Sequence, residues 1–277
     1  MAAPLGTSMW SSWRLERSRS WAGGRALARP AVGSLGLLAV IAIWHVVATV
    51  GIVRSGLVPT PGVVALQIVE LFRTGEAQQA LLASTTRVVL GVIFGVAAAI
   101  PIGLLLGSFS WLRAMFEPLL NFFRALPPIA LIPLIIVYLG IGENARVFVL
   151  TWSSFFVSVI VIYEGTVALD PLYVRAAQVL GANQIEVLTK VLFPLTVPLV
   201  LVAVRLSIAV SWGTLVASEL LAAQTGIGAM MSDAANFFQI PKIYSGIVLI
   251  GIMALVMDRV GRAAMLRFVH WQDRIER

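Results

Sequence analysis

Residues 170–198 read DPLYVRAAQVLGANQIEVLTKVLFPLTVP, and the reading of the whole chain turns on them. This is the longest water-compatible passage in the second half of the chain, and it lies between two long apolar runs. Its residues spell two short helices. Asp170 is a good N-cap, and Pro171 takes the first helical position, where a missing N–H costs nothing. Gly181 can close the first helix in a left-handed conformation. Asn183 can cap the second, with Glu186 three residues on placed to bond back as in a capping box. Pro194 and Pro198 mark the entry into the next apolar run. A bare connection between membrane spans needs only a handful of polar residues, so this passage is a structured knuckle.

The solvent for the rest is lipid. Hydrophobic residues make up 59% of the 277 and charged residues 12%, against about 25% charged in an ordinary soluble domain. There is no Cys, which removes disulfides and thiolate metal sites. The formal charge of +7 suits nucleic acid or an anionic membrane surface, and its placement favours the membrane. Residues 1–32 are rich in Arg, Ser, Trp and Gly, and this basic lead is longer than that of a secretory signal. They read as a cytoplasmic tail, partly disordered or carrying an interfacial helix with Trp10, Trp13 and Trp21. A transit peptide shares that composition and remains the alternative.

Residues 33–277 read as an all-α membrane domain. Apolar runs near the ~20 residues needed to cross a bilayer fall at 33–51, 84–107, 118–139, 146–163, 195–219 and 243–263. Six spans place both termini on one side. Of the 20 Lys and Arg, thirteen then fall on that side, five on the other and two within spans. The bias puts both termini, and the loop 170–193, in the cytoplasm. In the second span Gly91 and Gly95, then Gly103 and Gly107, form small faces that permit close helix approach. In the third, Pro127, Pro128 and Pro133 each remove a backbone donor, so a kink or local unwinding is expected.

The motif Arg175-Ala176-Ala177, then Leu180-Gly181-Ala182, then Pro194 and Pro198, resembles the EAA loop in permeases of binding-protein-dependent ABC importers. That loop usually begins with Glu, where this chain has Arg175, and carries Leu-Pro, where this chain has Phe193-Pro194. The passages RALPPIALIPL at 124–134, ending at Gly140–Glu143, and SWGTLVASEL at 211–220 resemble the taurine, sulfonate and nitrate permeases in particular. The resemblance implies a type I ABC importer permease fold with six transmembrane helices, in a bacterial inner membrane. It implies that Asp170, Arg175, Ala176, Ala177, Leu180, Gly181, Ala182 and Glu186 form a coupling helix docking on an ATPase subunit. ATP and Mg are then bound by that partner, and no cofactor by this chain. The expected assembly is two copies of this chain, two ATPases and an extracytoplasmic binding protein. The expected cargo is a small anion: taurine or another sulfonate, nitrate, or an organic carboxylate.

Candidate residues for the translocation path or a gate are Arg124, Pro127, Pro128, Arg205, Ser211, Trp212, Thr214 and Glu219. Arg124 and Arg205 lie within spans whose interiors hold no acid to pair with them. They either snorkel to the inner interface or line a path for an anion. Ser211, Trp212 and Thr214 either line that path or pack against neighbours. Glu219 sits at a span end. Enzymatic readings find no support. Lys190 and Lys242 are followed by Val191 and Ile243, so there is no Walker phosphate loop. There is no His-Glu-x-x-His and no Gly-x-Ser-x-Gly, and His45 and His270 are isolated. The competing class, an ion-coupled secondary transporter, calls for an intramembrane acid or an inverted repeat, and the sequence suggests neither.

Overall fold

Proline and glycine punctuate this chain, and the breaks between helices fall on them. The computed structural model describes residues 25–50, 56–222 and 224–268, and every regular element among them is helical. The expected interfacial helix with Trp10, Trp13 and Trp21 lies outside the described residues. The chain divides into two compact units, 1–63 and 64–277. In the first, α1 spans Arg25–Thr49, and the Trp44 indole N–H donates to the Pro59 carbonyl at 3.0 Å. The expected first span, 33–51, falls on α1, whose searched apolar stretch is Leu35–Thr49.

In chain order the second unit carries α2 (Pro61–Arg73), α3 (Glu76–Ser108), α4 (Ser110–Ala125), α5 (Pro128–Leu139) and α6 (Glu143–Val167). The knuckle follows with α7 (Pro171–Val179) and α8 (Gln184–Glu186). Then come a π-helical turn (Val187–Leu192), α9 (Phe193–Ala222), α10 (Ile227–Asn236) and α11 (Ile240–Phe268). Among the described residues four helical stretches are long and apolar enough to cross a membrane: α3, α6, Gln184–Leu220 and Ile240–Ala263.

The expected third span, 118–139, is not one helix. It is α4 and α5, bent by 93°. Pro127 and Pro128 cannot donate backward, and each pushes the residue before it out of the helical region. Leu126 and Pro127 are accordingly extended, at ψ 121° and 124°. Pro133, also expected to disturb this span, sits inside α5.

The core is α6, held on two sides by different chemistry. Against α3 it meets the expected small face. A Cβ on Gly95 would stand 2.6 Å from the Ser154 Cβ, and one on Gly103 2.8 Å from the Ile162 Cβ, so these helices touch backbone to side chain. Against α9 it is joined by buried hydroxyls. Ser154 bonds Ser211 at 3.0 Å, and Ser158 bonds Ser207 at 2.8 Å. In lipid, where apolar surface gives no preference for protein over solvent, close packing and such bonds hold helices together.

Candidate functional site

The knuckle forms as its residues dictate. The Asp170 carboxylate accepts the Leu172 N–H at 2.8 Å, satisfying one free donor at the start of α7. At the other end Gly181 takes φ 89°, and the Ala182 N–H returns to the Ala177 carbonyl at 3.0 Å, closing the helix through a left-handed residue. The capping box is complete: Asn183 Oδ1 accepts the Glu186 N–H at 2.9 Å, and Glu186 Oε2 accepts the Asn183 N–H at 3.1 Å. Glu186 also pairs with Lys190 at 2.8 Å. The expected second helix is not separate, however. Gln184–Glu186 passes through the π-turn straight into α9, one helical stretch from Gln184 to Leu220. Pro194 has no N–H to donate one turn back, and the ladder slips, with the Phe193 N–H reaching the Leu188 carbonyl.

The outer face of the knuckle is apolar and uncovered. Val179 and Leu180 are each 88% exposed, and Leu172, Tyr173 and Ile185 are exposed beside them. Arg175 and Ala176 are exposed too, and Ala177 is half-buried. Beneath the knuckle lies an open cavity of about 340 Å³, where Asp170 and Gln178 face the ends of α3 and α6 at Ser108 and Thr166.

At the opposite end of α3, α6 and α9 lies a cluster of which the sequence singled out only Glu219. Arg87, nearly fully buried, spends all five of its N–H donors. Its Nε and Nη2 grip Glu143 at 2.6 Å each, and its Nη1 reaches Glu219 and the Thr225 carbonyl, both at 2.6 Å. The remaining Nη2 hydrogen goes to Thr225 Oγ1 at 3.0 Å. Glu219 is also buried, and accepts from Ser84 Oγ and from the Gly228 N–H, each at 2.8 Å. Ser84 Oγ in turn accepts the Ile227 N–H at 2.9 Å. Arg146 pairs with Glu143 at 2.6 Å. Two guanidiniums and two carboxylates thus tie α3, α6, α9 and the start of α10, whose first-turn Gly228 N–H meets the Glu219 carboxylate.

The structure scatters the remaining expected path residues. Arg205 is not unpaired: it forms an ion pair with Asp258 of α11, which Arg262 also bonds at 3.0 Å. The expected sixth span, 243–263, therefore carries an intramembrane acid, Asp258, that the sequence reading did not weigh. Ser211 is buried against Ser154. Trp212 is 2% exposed, with its indole N–H on Met257 Sδ at 3.3 Å. Thr214 Oγ1 bonds the Val210 carbonyl of its own helix at 3.1 Å. Glu219 belongs to the buried cluster. Only Arg124, Pro127 and Pro128 stay together, at the break between α4 and α5. A signal for the cluster was present: Arg87, three residues after Ser84, is the one charged residue of α3 beyond Glu76.

Among its described residues the protein is all-helical, with four helical stretches long and apolar enough to cross a membrane and no group of three metal-binding side chains. Residues 91–270 match the family described as binding-protein-dependent transport system inner membrane component. A probable ABC transporter permease protein of Brucella abortus (strain 2308) is 40% identical over 231 residues, covering 83% of this chain and 91% of that protein. The taurine transport system permease protein of Escherichia coli (strain K12) is 31% identical, covering 90% of this chain and 93% of its own. A chain of the MetNI methionine ABC transporter, in an inward-facing crystal structure, shares the fold at a TM-score of 0.60 and 19% identity, over 67% of this chain and 93% of that one. The chain belongs to the family of ABC importer permeases, and is a multi-pass inner-membrane transport subunit rather than an enzyme.

Proposed function

We propose that this chain forms half of the translocation pathway of an ATP-driven importer for a small anionic solute, with the knuckle as its coupling element. Two copies around a two-fold axis would each seat one ATPase, carrying ATP and Mg, against α7 on the cytoplasmic side. A binding protein would deliver the solute to the far side, where the Arg87 cluster lies. The cargo reading rests on similarity to taurine, aliphatic sulfonate and nitrate permeases. On this chain Glu219 and Asp258 are each held by arginine, which leaves neither of them free to carry a proton for an ion-coupled carrier.

One observation carries the coupling role: the most exposed apolar side chains of the knuckle, Val179 and Leu180, stand at the end of a capped helix continuous in sequence with α9. Gly181 has open space around its Cα, so a substitution there is felt through the backbone alone. A β-branched residue at φ 89° costs on the order of 1–2 kcal/mol, which opens the turn and tilts α7. Gly181→Val and Ala177→Trp are expected to leave the protein inserted and assembled, yet to release the ATPase or uncouple hydrolysis from uptake. Co-purification of the ATPase, with uptake and substrate-stimulated hydrolysis in proteoliposomes, measures this. Full ATPase retention with unchanged uptake in both variants refutes the coupling role.

A further inference from the structure

The break between α4 and α5 leaves a cavity of about 90 Å³, lined by Arg124, Trp152, Ser153, Phe156 and Val210 among others. It lies in the interior of the membrane region. Trp152 is nine residues along α6 from Glu143, about 13 Å by helical rise, and Val210 is as far from Glu219 on α9. Two polar groups here have no partner among the described residues, the guanidinium of the exposed Arg124 and the buried indole N–H of Trp152. No carboxylate of the described residues lies within ion-pairing distance of the Arg124 guanidinium, whereas Arg87, Arg146 and Arg205 each have one. The Trp152 indole N–H is buried and bonds nothing, although Phe123 and Phe156 pack its ring at centroid distances of 5.6 and 4.8 Å and fix its plane. A buried donor without an acceptor is costly, and an arginine at this depth is a site by default. The position of Arg124 in the last turn of α4 offers it a favourable dipole, but does nothing for Trp152.

We infer that this cavity is an anion station on the translocation path, in which Arg124 and the Trp152 N–H together take the oxyanion group of a sulfonate, nitrate or carboxylate. A guanidinium offers two parallel donors to such a group, and the indole adds a third from another helix. The inference rests on the anion reading above and adds a location within the permease itself, distinct from the binding protein.

The full chain in lipid nanodiscs, without ATPase or binding protein, is titrated with nitrate, which quenches indole emission on contact. Saturable quenching is expected in the native protein. Trp152→Phe, which removes the indole and its emission, gives the background of the other tryptophans, and the saturable part should be shifted to about tenfold higher nitrate or more in Arg124→Gln. Arg124→Lys should recover part of that shift, which a merely structural loss would not. Linear quenching in the native protein, or the same saturation in Arg124→Gln, overturns the station. Uptake by the assembled importer separates the two readings. If the native importer carries an anion while Arg124→Gln carries it equally fast, the station fails and the importer reading stands. If nitrate saturates the site but the assembled importer takes up no anion in response to ATP, the station stands and the importer cargo reading fails.

Discussion

Arg87 is surrounded so completely that no partner can be removed without leaving another group unpaired. Its five donors are spoken for, and Glu219 accepts from three different residues. Breaking such a buried pair from one side costs about 3–5 kcal/mol, while replacing both members by apolar residues is often neutral. Arg87→Met or Glu219→Leu alone should therefore lower the unfolding temperature in detergent markedly, and the double variant should recover much of the loss. Glu143→Gln should do less harm, because its side chain is 57% exposed and water can replace it. If the double variant were less stable than either single one, the cluster would be more than a clasp. Little of this was legible from residues alone. Arg87 drew no reading of its own, Glu143 only closed a passage of family resemblance, and Glu219 was a path or gate candidate. What brings them together is the pairing of helices distant in sequence, which periodicity does not encode.

The elements were more legible where local chemistry decides them. Asp170, Gly181 and the Asn183–Glu186 box sit where caps belong, since a cap depends on neighbours three residues away. The break at Pro127–Pro128 was expected as a kink, but its 93° angle is set by packing on α6. The π-turn was not foreseen, although Pro194 supplies its cause. Pro194→Ala returns a donor one turn back and removes the reason for the slip, which would rotate the knuckle relative to α9 by about 100°. That variant should be as stable as the native protein, or more so, yet couple poorly, read as ATPase activity that no longer responds to substrate. Unchanged coupling would mean that the π-turn is incidental. On the α3–α6 seam, Gly95→Leu has no such latitude. Its side chain would meet Ser154 and the Thr151 carbonyl, and helix separation should abolish stable folding or cost several kcal/mol, measured by thermal unfolding.

At the scale of the molecule, much of the surface of the second unit is apolar: Phe94 and Ile93 on α3, Phe122 on α4, Val137 and Tyr138 on α5. Lipid accounts for most of it, and a second copy would account for the rest. A single permease chain per complex would sink the two-fold arrangement, and two identical chains with two ATPases would support it. The measurement is the mass of the purified complex. Lys242 and Arg262 lie twenty residues apart on α11, about 30 Å by helical rise, the thickness of the hydrocarbon core. An energised membrane does work of about 2.3 kcal/mol on each elementary charge it carries across 100 mV. The two guanidiniums and two carboxylates around Arg87 sum to zero, so voltage gains nothing by moving them as a group. If this cluster gates the pathway, displacement of α3, α6 or α9 rather than membrane voltage would have to open it.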